Sequence, residues 1–161
     1  SATTAGAVTV QDEGSSNEGT NLATYGRLYN WYAVDDARGL CPSGWHVPTD
    51  SEYMTLEMEL GMSYTDANNG GFRGDQCAQM KSSASDSPAW EGTNSSGFSG
   101  LAGGYRYYTG GIGNEGDHGF FWTASANGSN AWNRALFGGS SEVHRSIYDL
   151  RGGFSVRCVR D

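Results

Sequence analysis

The feature that most constrains this chain is a series of five short runs of alternating character in its last third. They are "YRYY" at 105–108, "FFWTAS" at 120–125, "AWNRALF" at 131–137, "EVHRSI" at 142–147 and "GFSVRC" at 153–158. Period two over four to seven residues, with Gly, Ser and Asn between the runs, reads as strands joined by short turns. Such strands are stable only when paired with one another, and short connections pair them antiparallel. Helical patterns come earlier. In "TYGRLYNWYAVDDAR", Tyr25, Leu28, Tyr29, Tyr32 and Ala33 fall on one helix face, a stripe expected in the core. Thr49 and Glu52 form a capping box ahead of Tyr53, Leu56 and Leu60, with Gly61 ending the run. The expected class is therefore α+β, with two helices first and a small, mostly antiparallel sheet last.

Within the runs, two kinds of position alternate. Trp132, Arg134, Leu136, Val143 and Arg145, continued by Phe154, Val156 and Cys158, read as a frame. Asn133, Ala135, Phe137, Gly138, Ser141, His144, Ser146, Ile147, Tyr148, Asp149 and Leu150 read as filling. Successive strand residues point to opposite faces, so one face is expected to pack while the other meets solvent and tolerates change. Substitution on such an outward face costs within about 0.5 kcal/mol, against several for the core. Phe137, Ile147 and Tyr148 are the expected apolar anchors of a binding patch ringed by Asn133, His144, Ser146 and Asp149.

The 161 residues suit one domain, and 25 glycines with 12% aromatics point to a core of a few large rings in a loop-rich frame. Residues 1–22 read as a flexible lead-in with one short β-like run, Ala7 to Val10, and residues 23–161 as the domain proper. Met62 to Gly104 reads as a long irregular region with single anchors Phe72, Trp90 and Phe98. The net charge of −8, with few and scattered basic residues, speaks against a nucleic-acid partner. No apolar run is long enough for a transmembrane helix, and the start at Ser1 suggests a piece of a longer protein.

Of three cysteines, Cys41 and Cys158 lie in ordered-looking contexts and Cys77 in a polar loop. A Cys41–Cys158 bridge with Cys77 free is expected, which implies an oxidising compartment; two buried neighbouring thiols are the alternative.

Tests for chemistry turn up little. "GIGNEG" at 111–116 matches G-x-G-x-x-G, but no helical pattern follows, so a strand-to-strand loop is the better reading. His46, His118 and His144 are isolated from one another; His46 reads as a satisfied packing residue. "NEGD" at 114–117 lacks the spacing of a calcium loop. Sequons stand at Asn94 and Asn127. No catalytic residue, metal site or cofactor is expected.

In "YGRLYNWYAV", "CPSGWHVPTDSEY", "GTNSSGFSGLAGGYR" and "GFSVRCVRD" the chain resembles the Fibrobacter succinogenes major paralogous domain family. The blocks span Tyr25 to Asp161, whereas residues 1–22 lack the family's usual opening strand segment, so an edge strand is expected to be missing. The family is similar to formylglycine-generating-enzyme-type domains, and the resemblance implies a C-type lectin-like fold with two helices, long loops and a small sheet bearing a binding surface. Several relatives are variable proteins of diversity-generating retroelements, whose C-terminal segment is rewritten at template adenines. That implies a variable segment at about residues 123–153, and a non-enzymatic receptor or adhesin on the outside of a cell or virion. Its ligand, a protein or glycan on another surface, would be held by Asn133, Ala135, Phe137, Ser141, His144, Ser146, Ile147, Tyr148 and Asp149. Mutated adenines in an Asn codon never yield Lys, Gln, Glu, Met or Trp, and none of the eleven filling positions holds one of these. The alternatives are an undiversified carbohydrate-binding or structural domain of the same fold, and an oxidase. The signatures of calcium-dependent sugar lectins are absent, and the oxidase would need a second thiol beside Cys158.

Overall fold

The computed structural model describes residues 5–10 and 16–161, so residues 1–4 and 11–15 of the expected lead-in lie outside the described residues. The chain is α+β. Among the described residues the order is β1 (Val8–Thr9), α1 (Glu18–Tyr25), β2 (Leu28–Tyr29), α2 (Trp31–Val34), β3 (Trp45–His46), α3 (Asp50–Glu59), α4 (Tyr64–Asn68), β4 (Gly71–Arg73) and α5 (Cys77–Met80). Then come β5 (Gly103–Arg106), β6 (Ile112–Glu115), β7 (His118–Asn127), β8 (Asn130–Phe137), β9 (Val143–Asp149) and β10 (Val159–Arg160). Six strands form one sheet in the order β4-β9-β8-β7-β5-β6, antiparallel except for the single β5–β7 contact at Gly104 and Gly119. The small pairs β1–β2 and β3–β10 stand apart from it.

The expected helix over Tyr25 to Ala33 is not formed; its apolar stripe is satisfied in pieces. Gly26 takes φ 77°, a left-handed conformation that closes α1. Leu28 and Tyr29 then pair with Val8 and Thr9, and the Asn30 side chain accepts from Ala33 N to start the short α2. The strand expected to be missing at the front is therefore present as β1, and Val10 behind it is buried. Helix α3 forms as its capping box requires, with Thr49 and Glu52 each satisfying the other's backbone N–H.

Strands β7, β8 and β9 form where the alternation places them. "GIGNEG" supplies the edge strand β6 instead of a loop, paired with β5. The closing run 153–158 does not form a ladder strand. Gly153, Phe154 and Ser155 each bridge a different partner, Arg106, Tyr29 and Phe121, and regular pairing resumes only at β10 against β3. The irregular stretch after α5 is held by Lys81, whose buried ammonium donates to Glu91 and to the carbonyls of Phe137 and Ser140.

The sheet divides two cores. Tyr53, Met62, Ala67, Cys77, Met80, Phe121, Leu136 and Val143 pack on the face covered by α3, α4 and α5. Trp31, Val34, Val47, Trp122, Ala131 and Phe154 pack at one end of the other face. Cys41 and Cys158 are joined by a disulfide with Cα atoms 5.9 Å apart. Cys77 is free but buried at the start of α5, not in a polar loop, because its neighbours Ala67 and Met80 enclose it.

Candidate functional site

The helix-covered face carries an unexpected cluster of charge. Arg134 of β8 and Arg145 of β9 are register partners, and both reach the Asp50 carboxylate, at 2.7 and 2.6 Å. Glu57 accepts from Arg134 Nε at 2.7 Å and from Arg73 Nη2 at 2.8 Å. Tyr53 and Trp132 lie under the guanidinium groups of Arg134 and Arg145 at 5.3 and 3.9 Å. Burial pushes the Asp50 carboxyl up, but the hydrogen bonds and charges of Arg145 and Arg134 outweigh it and hold it below the ordinary carboxylate range. This network is largely closed to solvent and fixes the backs of β4, β8 and β9.

The opposite face differs at its two ends. Near Trp122 and Ala131 it is covered by Trp31 and Phe154. At the other end it carries half-buried and exposed rings. Phe72 stacks on His144 at 4.5 Å and on Phe137 at 5.1 Å, and Phe137 meets His118 at 4.4 Å. Phe120 continues the array to Tyr105 at 4.7 Å, and Tyr105 to Tyr107 at 4.5 Å. Tyr148 borders it beside Tyr105 and Tyr108, with the Arg151 guanidinium 4.9 Å over Tyr108. Phe72 is 50% exposed, and Tyr107 and Tyr108 are also open to solvent.

The profile of the Fibrobacter succinogenes major domain matches residues 3–160, nearly the whole chain. The chain belongs to the Fibrobacter succinogenes major domain family. Comparison with curated proteins and with solved structures finds no match. The family match reaches into the front segment, in keeping with the presence of β1.

On this Fibrobacter succinogenes major domain the expected binding residues do not all meet. Phe137, His144, Ser146 and Tyr148 share the ring-bearing face. Asn133 and Ala135 share it too but are buried, at 1% and 0% exposure, against the expectation that they meet solvent. The reason is their place in the central strand. Ala135 lies between the larger Phe120 and His144 in register, and Asn133 lies beside the fully buried Trp122 with Ser146 on its other side. The Asn133 amide also donates to Ser146 O at 3.0 Å and accepts from the Ser146 hydroxyl at 3.2 Å. Ile147, 43% exposed, points to the other face, because it is an odd-numbered neighbour of Arg145 opposite Trp132. Asp149 lies at the far end of β9, paired with Arg151, and Ser141 in the exposed β8–β9 turn. Gly138 is not freely variable, since a Cβ there would come within 2.8 Å of the Asp117 carbonyl.

Phe72, Tyr105, Tyr107, Tyr108, His118 and Phe120 are the ring residues that the alternation of frame and filling leaves out. The signal for four of them was the aromatic content of "YRYY" and "FFWTAS"; Phe72 sits in a stretch with no strand pattern. Burial, with the Arg73 charge behind the sheet, pushes the His144 imidazole below its ordinary value, so it is a neutral ring at neutral pH. Among the described residues no group of three His, Cys, Asp or Glu side chains could hold a metal ion. Asn94, a candidate sequon, uses its amide on Asp86 and Ser99. His46 is clamped between Asp161 at 2.6 Å and Glu52 at 2.7 Å. The disulfide fits an oxidising compartment, and no helix among the described residues is long and apolar enough to cross a membrane.

Proposed function

We propose that this domain is a non-enzymatic ligand-binding module of receptor or adhesin type, displayed on a cell or virion surface, with a C-type lectin-like arrangement of helices, long loops and sheet. Its ligand face is the ring array from Phe72 through His144, Phe137, His118 and Phe120 to Tyr105. The observation that carries this reading is the asymmetry of the sheet: a charge network and a core hold one face, while rings stand half-open on the other. Aromatic anchors of low conformational entropy suit recognition of a protein or a glycan. The domain is further proposed as the variable protein of a diversity-generating retroelement, with variation at Phe137, Ser141, His144, Ser146 and Tyr148.

Sequencing the coding locus across a growing population tests this. Adenine-derived changes concentrated at those five codons and sparse at Asn133 and Ala135, with a near-identical template copy beside a reverse transcriptase, are the expected result. Identical C-terminal segments in every cell with no template copy would exclude diversification and leave the binding face to be tested by itself. The burial of Asn133 and Ala135 favours a second reading, an undiversified carbohydrate-binding module using the same rings. In that case a glycan array gives a hit that Phe72→Ala abolishes and chelator does not.

A further inference from the structure

A cavity lies apart from the ring array and shares no lining residue with it. It is a groove of about 720 Å³ between the start of α3, the 96–98 loop and the closing segment beside the disulfide. That size falls within the range of small-molecule sites. Its walls include Trp45, Leu56, Phe98 and Cys158, and they are mainly apolar.

Tyr53 contributes to the lining, but its hydroxyl is sealed from the groove. Arg157 stands exposed at the rim, 5.9 Å over the Phe98 ring, with no ion pair among the described residues. The one acid of the lining, Glu52, is already bonded to His46 and Thr49.

We propose that this groove binds a small organic acid, with its flat apolar body between Leu56 and Phe98 and its anionic group on Arg157. The cation at the rim selects the charge of the ligand, and the apolar walls select its body.

Anilinonaphthalene sulfonate, an apolar dye with one anionic group, is the probe, read by fluorescence titration of the intact chain. One-to-one binding is expected. Arg157→Gln, at an exposed position that leaves the fold intact, weakens it roughly 10-fold, as loss of a charge-assisted hydrogen bond requires. Phe137→Ser, on the ring array, leaves the titration unchanged. The proposal is overturned if Arg157→Gln binds the dye as tightly as the parent, if the dye without its sulfonate binds as tightly, or if Phe137→Ser abolishes the signal.

Discussion

Replacing Glu57 by Gln changes one buried oxygen to an amide and should cost more than any change on the ring face. Glu57 is 0% exposed and accepts from Arg73 Nη2 at 3.0 and 2.8 Å and from Arg134 Nε at 2.7 Å. The cluster holds three guanidiniums, Arg73, Arg134 and Arg145, against two carboxylates, Asp50 and Glu57, an excess of one positive charge that main-chain oxygens of Asp50, Asn68 and Asn69 help to absorb. The amide raises that excess to two and turns an N–H₂ donor toward the donors it replaces. Removing one partner from a buried pair costs about 3–5 kcal/mol. For a domain of this length that is a fall in melting temperature of roughly 6–20 °C. Urea unfolding followed by tryptophan fluorescence is the assay, with the midpoint shifting and the slope unchanged. The double variant Glu57→Leu with Arg73→Met removes one charge of each sign and should lose less than the sum of the two single changes, by roughly 1–3 kcal/mol. A Glu57→Gln protein within about 1 kcal/mol of the parent would refute the view that these charges depend on one another.

Changing Cys41 and Cys158 together to Ser opens a loop of 117 residues in sequence separation, and chain entropy sets the loss at roughly 5 kcal/mol; equal thermal stability of the two proteins would show that the bridge does not constrain the chain. Asp50 has its folded-state pKa lowered, so its contribution is present above about pH 3.9 and lost as pH falls through the folded value; the stability gap between the parent and Asp50→Asn should close on acidification, and a gap constant down to pH 2 contradicts this. His46 is shifted the other way, by its bonds to Asp161 first and Glu52 second, so its contribution is complete below about pH 6.5 and lost as pH rises through the raised value. An imidazole titration by NMR should place His46 above 6.5 and Asp161→Asn should lower it; a midpoint at or below 6.5 in the parent rules the clamp out.

The capping box at Thr49 and Glu52, the strands from His118 to Asp149 and the disulfide were legible because each is set by residues close in sequence or by simple parity. The stripe from Tyr25 to Ala33 misled because helical spacing says nothing about Gly26, whose left-handed conformation interrupts it. The charge network was half visible. Arg134 and Arg145 stood at frame positions, which required buried partners, and Asp50, Tyr53 and Glu57 recur at helical spacing on the buried side of α3. The apolar Tyr53–Leu56–Leu60 stripe drew attention away, since acids on a helix are most often solvated. The exposure of Asn133 and Ala135 was misjudged because alternation assigns a side chain to a face without giving the height of its neighbours.

The pairing of Arg134 with Arg145 across the β8–β9 hairpin works as an index mark. If β9 slid by one residue against β8, Arg145 would turn from Asp50 toward the ring-bearing face. The loss of that ion pair counts against the slip whatever stands at Phe137, His144 or Tyr148. A hairpin keyed from behind in this way can be rewritten in front and still close in the same place.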